Sequence, residues 1–171
     1  MNLQLIVLVG ASGAGKTTLG KMIAEKCNYV HLGEDDFVFE MIPLALKQRK
    51  LGAGDREIGM RNLWSCIENC LKAGRSVVVE GALVDGPFYL DDFKELAVKH
   101  GAEYIPFLLS GTVAKRRLRK LRQGYAVTRE QDKRLRDRAK QLRYTEKCTV
   151  VDTTKLTKKR VFEQLMEKIV H

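Results

Sequence analysis

The sequence has no apolar run near the ~20 residues that a membrane-spanning helix requires. Its first apolar stretch is short and meets glycine at Gly10, which does not fit a signal peptide. These absences predict an intracellular, cytoplasmic protein. Proline is scarce, at three residues in 171, and no repeat, low-complexity tract or linker is visible, so a single domain spanning 1–171 is expected. The four cysteines, Cys27, Cys66, Cys70 and Cys148, form no Cys-x-x-Cys pair and do not resemble a secreted disulfide framework. Cys66 and Cys70 stand four apart on an expected helix. That spacing suits half of a metal site or a redox pair, or two small apolar residues packed inside. The histidines, His31, His100 and His171, are not close enough in sequence to complete a metal site. Aromatic residues make up 7% of the chain, and only Tyr125 and Tyr144 fall in its most basic segment, which leaves little for stacking nucleic-acid bases there.

What is present is concentrated near the start. Residues Gly10-Ala11-Ser12-Gly13-Ala14-Gly15-Lys16-Thr17 fit Gly-x-x-x-x-Gly-Lys-Ser/Thr at every fixed position. The apolar run Leu3–Val9 leads into them, and a helical pattern from Thr17 to about Cys27 follows. Strand, glycine loop and helix are the context in which this motif binds phosphate. Glycines let backbone N–H groups wrap an anion, and the helix N-terminus adds its partial positive charge. Lys16 can reach the β- and γ-phosphates, the Thr17 hydroxyl can hold Mg²⁺, and Thr18 is a neighbour of the phosphates by position. The chain is therefore expected to bind a nucleoside triphosphate with Mg²⁺.

Strands are expected at Leu3–Val9, Tyr29–Leu32, Ser76–Glu80, Tyr104–Leu109 and Cys148–Val151. Helices are expected at Lys16–Cys27, Asp36–Arg49, Arg56–Ala73, Leu90–His100, Thr112–Arg122, Thr128–Arg143 and Thr157–Val170. Gly74 and Gly101 stand where helix C-caps would, Thr128 with Gln131 reads as a capping box, and Thr157 as an N-cap. The stretch from Lys50 to Asp55 reads as a loop between two helices of a substrate-covering flap. Strands alternating with helices, several of them continuously apolar, indicate a parallel sheet covered on both faces. Ligands bind outside the carboxyl ends of such strands.

Three segments after strands carry candidate chemistry. The second strand runs into Glu34-Asp35-Asp36. Asp35 reads as a general base for an acceptor hydroxyl, or the run as an acidic helix start with Asp36 as its cap. The third strand ends at Glu80, which can orient a water on Mg²⁺, the place usually held by aspartate; Asp85 is a second candidate. The fifth strand is followed by Asp152-Thr153-Thr154, a loop that either lies beside a nucleotide base, with Thr153 in contact, or is an ordinary turn into the last helix.

The net charge of +10 sits in one place. From Lys115 to Lys147 there are fourteen Lys/Arg and four Asp/Glu, so the rest of the chain is neutral. Such a block is a solvated helical face, a phosphate clamp or a nucleic-acid surface. Helix, glycine turn at Gly124 and helix read as an arginine-rich lid over about 112–143, with two to four of its cations expected to be functional.

Taken together, Gly10–Thr17, the segment from Gly33 through Phe37 to Pro43, Val77–Gly81, the arginine-rich lid and Val150–Thr154 resemble the small P-loop kinases, in particular the group of chloramphenicol phosphotransferase and the kinase domain of phage polynucleotide kinase. The resemblance implies a P-loop NTPase fold of five parallel strands in the order 2-3-1-4-5, and transfer of the γ-phosphoryl group of ATP to a hydroxyl. It implies that Asp35 is the base and places lid arginines among Arg117, Arg119 and Arg122, with a later one near Arg134 or Arg138. Arg119 and Arg122 are expected to act in catalysis and Arg117 in nucleotide binding. The family takes diverse acceptors, so a small molecule, a nucleotide or a polynucleotide remains open. A nucleotide-dependent RNA- or DNA-binding module and a simple NTPase switch are the readings of other classes.

Overall fold

Every residue of β1, Gln4–Gly10, is buried, as an apolar strand at the centre of a covered sheet requires. The computed structural model describes residues 2–40, 53–81, 90–112, 118 and 148–170. After β1 come α1 (Lys16–Cys27), β2 (Val30–Gly33), a π-helical turn (Asp36–Glu40), α2 (Ala53–Lys72), β3 (Val77–Gly81), α3 (Leu90–Lys99), β4 (Glu103–Ser110), β5 (Thr149–Asp152) and α4 (Lys158–Ile169). The described strands form one five-stranded sheet in the order β2-β3-β1-β4-β5, with every pairing parallel. This is the expected order.

Alternation along β1 sorts the core into two layers. Leu5, Val7 and Val9 face one side with Val77 and Val79, where Met60, Leu63, Ile67 and Leu71 of α2 and Phe93, Leu96 and Ala97 of α3 cover them. Ile6 and Leu8 face the other side with Val78 and Phe107, under Leu19 and Ile23 of α1 and Val161, Leu165 and Ile169 of α4. The spacing of three and four residues puts each helix's apolar set on one stripe. Cys66 and Cys70 pack against the first layer and Cys27 against the second. Among the described residues no cluster of His, Cys, Asp or Glu forms a metal cage.

The caps expected at Gly74, Gly101 and Thr157 are in place, and the Thr128–Gln131 box lies outside the described residues. Gly74 and Gly101 adopt φ of 70° and 65°, and the amides of Arg75 and Ala102 reach back to Cys70 and Ala97 oxygens at 2.9 and 2.8 Å. The Thr157 hydroxyl accepts from the Arg160 amide at 3.3 Å. α1 ends on Asn28 at φ 57°, a left-handed end the composition did not advertise. No helix among the described residues is long and apolar enough to cross a membrane.

Two boundaries differ from expectation. α2 begins at Ala53, so Gly54 and Asp55 belong to a helix rather than to a loop. An exposed first turn tolerates glycine, and Asp55 there suits the helix dipole. Glu34 and Asp35 are already helical, which puts Asp36 inside the first turn and not at its cap. The remainder of the helix expected to Arg49 and the lid helices lie outside the described residues, except Thr112 and Leu118; Thr112 is not helical, and its amide bonds Thr154 Oγ1 at 3.1 Å.

Candidate active site

β1 delivers the chain into the phosphate-binding loop at the carboxyl edge of the sheet. A Cβ on Gly10 would lie 2.5 Å from the Leu109 carbonyl oxygen, so only glycine lets β1 leave the sheet alongside β4. Gly13 and Gly15 take φ of 80° and 105°, which side chains rarely adopt. Between them the Ala14 amide bonds the Ala11 oxygen at 3.1 Å and closes the loop. Gly15 then stands at the N-cap of α1. No side-chain oxygen caps this end and no acid occupies its first turn, and its positive end faces the loop. Ala11 and Ala14 are buried, Ser12, Gly13, Gly15 and Lys16 are partly exposed, and Thr17 and Thr18 are exposed.

Glu80, the next-to-last residue of β3, stands beside this loop, since β3 pairs with β1 with Leu8 opposite Glu80. It is 5% exposed. Burial pushes its carboxyl above the usual carboxylate range, the Lys16 charge and a hydrogen bond with the Thr17 side chain draw it back, and Asp35 and Asp36 push it up again. These shifts identify the neighbours: Lys16, Thr17, Asp35, Asp36 and Glu80 share one electrostatic environment. Gly33 is where the acids converge. A Cβ there would meet Asp36 Oδ2 at 2.7 Å and Glu80 Oε1 at 3.1 Å.

The three consecutive acids divide. Glu34 is 4% exposed and accepts a charged hydrogen bond from Arg56 Nη2 at 2.7 Å. Asp35 and Asp36 are both exposed, and Asp36 turns an oxygen to Gly33. Sequence reasoning missed Arg56; its position in the first turns of a helix after the flap was the available signal. It also missed His31, whose Nε2 lies 4.0 Å from Glu80 Oε1. As the residue two before Gly33 on β2, His31 shares its face of the sheet.

At the other edge, Thr153 is 1% exposed, and both its amide and its hydroxyl donate to the Ser110 oxygen at 2.7 Å. The Thr154 amide bonds Asp152 Oδ1 at 2.8 Å, and the Thr154 side chain, together with this amide, holds the Asp152 carboxyl below its ordinary pKa. These bonds tie the end of β5 to the end of β4. Arg117, Arg119 and Arg122 of the lid, and Asp85, lie outside the described residues.

The AAA domain family (AAA_33) matches residues 5–142, more than half of the chain. A shikimate kinase of Staphylococcus aureus (strain Newman) is 26% identical over 81 residues, covering 47% of this chain and 45% of the relative; the match thus spans about half the length of the curated relatives. The shikimate kinase of Acinetobacter baumannii in complex with shikimate superposes with a TM-score of 0.65 at 22% identity, covering 98% of this chain and 93% of that one. A gluconokinase from Sinorhizobium meliloti 1021 does so with a TM-score of 0.68 at 20% identity, covering 98% and 95%. Likeness at these identities is a likeness of fold. The chain belongs to the AAA domain family and carries the fold of the small P-loop kinases.

Proposed function

We propose that this protein is an ATP- and Mg²⁺-dependent kinase that moves the γ-phosphoryl group of ATP to a hydroxyl acceptor. The observation that carries this reading is the gathering of Lys16, Thr17, Asp35, Asp36 and Glu80 around the glycine loop. Simple binding of a phosphate uses the loop and Lys16. It gives no reason for an exposed carboxylate beside them, whereas transfer to a hydroxyl does.

The loop amides of Gly10–Gly15 and the Lys16 ammonium bind and orient the phosphates. The Thr17 hydroxyl and the Glu80 carboxylate are hard oxygen donors already hydrogen-bonded to each other, and such a pair suits Mg²⁺, which uses one or two protein oxygens together with substrate phosphates. When bound, the ion neutralises charge between the phosphates. Asp35 accepts the proton of the acceptor hydroxyl as that oxygen attacks. Arg119 and Arg122 are assigned to the transferring group and Arg117 to the nucleotide, in a lid that excludes water so that phosphate reaches the acceptor rather than hydrolysing. Thr153 contributes to a base pocket by holding β5 to β4, because its hydroxyl already donates to Ser110.

Labelled ATP offered with sugars, nucleosides, nucleotides, antibiotics and oligonucleotides identifies the acceptor. With that acceptor, Lys16→Ala is expected to lower transfer at least ~10²–10³-fold, the loss typical of an electrostatic contact to the reacting group, while circular dichroism and unfolding temperature stay unchanged. Unchanged turnover in the folded variant would overturn the kinase reading.

A further inference from the structure

His31 Nε2 is buried and has no hydrogen-bond partner among the described residues. Buried polar atoms are nearly always satisfied, so one that is not calls for a reason. Two features supply it. The first is Glu80, whose Oε1 lies 4.0 Å from Nε2. That separation is about 1 Å longer than a hydrogen bond, and a small rotation of either side chain closes it. The second is a cradle. A Cβ on Gly20 of α1 would come within 2.9 Å of both Cδ2 and Nε2 of His31, and 3.6 Å from Glu80 Cγ. An alanine at this helical position would displace the ring, and the sequence keeps glycine there although it is a poorer helix former.

We propose that His31 is a positioning residue for Glu80: its Nε2–H donates to the Glu80 carboxylate and holds it beside Thr17 in the orientation that receives Mg²⁺ with the nucleotide. The inference rests on the nucleotide and metal site proposed above. A neutral imidazole carries one N–H and one bare nitrogen. A bare Nε2 would set its lone pair against a carboxylate, so the Nε2–H tautomer is the one this site selects. Glu80 has the Thr17 side chain as one hydrogen-bond partner. A second donor fixes the carboxylate plane, as outer-sphere partners do in metal sites generally.

The test compares His31→Gln, which keeps a donor near the Nε2 position, with His31→Met, which fills the space and offers none. Mn²⁺ binding to each protein with a non-hydrolysable ATP analogue is read by electron paramagnetic resonance, and folding by thermal unfolding. His31→Met is expected to weaken Mn²⁺ about 10–100-fold, with His31→Gln within about threefold of the wild type on the same scale. Gly20→Ala, with His31 intact but displaced, is expected to share the loss of His31→Met. Nitrogen NMR of the histidines in the metal-free wild type is expected to show the Nε2–H tautomer for His31, a readout that needs neither activity nor a folded variant. Full Mn²⁺ affinity in His31→Met, equal loss in His31→Gln, or the Nδ1–H tautomer each overturns the role of His31. Absence of nucleotide-dependent Mn²⁺ binding in the wild type overturns the underlying site instead, and the inference falls with it.

Discussion

At the level of single residues, adjacent carboxylates have different surroundings. Asp35 and Asp36 are both exposed, but only Asp36 has an oxygen against Gly33, near Glu80. Asp35→Asn is therefore expected to lower kcat by about 10²–10⁴-fold, the usual span for a general base, and to leave nucleotide affinity intact when measured by calorimetry. Asp36→Asn removes a like charge beside Glu80, so it is expected to change Mg²⁺ dependence more than kcat. The opposite pattern would make Asp36 the base. The loop residues were legible in the sequence because a backbone cradle for phosphate accepts few alternatives at its glycines, lysine and threonine. Glu80 was legible as an acid at a strand end. Arg56 and His31 were not, for a physical reason. Arg56 meets Glu34 across 22 residues only because of how α2 docks, and a lone histidine on a strand has no spacing that distinguishes a positioning group from a space-filling one.

Among the elements, the strands were legible almost to the residue, since continuous apolar runs bounded by glycine and polar residues leave little freedom. The start of α2 was not, because Gly and Asp at its N-terminus read equally as loop and as first turn. Two glycines in this helix differ in a way the sequence does not reveal. A Cβ on Gly54 would meet nothing within 4 Å among the described residues, while one on Gly59 would lie 2.8 Å from the Phe37 carbonyl oxygen and 2.9 Å from Val38 Cα. Gly54→Ala is thus expected to stabilise the protein by up to about 1 kcal/mol, the helix-propensity gain. Gly59→Ala is expected to destabilise it, because the obstructing atoms are backbone of the π-helical turn and cannot swing away. Chemical denaturation of the two variants checks both signs. A stabilised Gly59→Ala would mean that the turn yields easily, and with it the segment that carries Asp35.

In the molecule as a whole, β1 is shared by the two layers, so neither can open alone without exposing it. The chain has one tryptophan, Trp64, in the α2–α3 layer with its ring 5.2 Å from that of Phe93. Phe107 is fully buried in the opposite layer. Phe107→Ala is expected to destabilise by about 3–5 kcal/mol and to lower the unfolding temperature by on the order of 10 °C. Trp64 fluorescence should report that shift equally with far-UV circular dichroism, although the substitution lies across the sheet. A smaller shift at Trp64 would show the layers unfolding separately. The alternation of strands and helices told of a covered parallel sheet, but the strand order came only through family resemblance, since crossovers leave no mark in composition. The position of β1 also bears on how the chain is made. Gln4 pairs with Glu103, 99 residues later, so the most apolar strand leaves the ribosome before either of its flanking strands exists. At about 5–20 residues per second, synthesis runs for roughly 5–20 s before β4 can cover that edge. During this interval the nascent chain presents an unpaired apolar strand, and a chaperone that shields short apolar segments would be expected to engage it there.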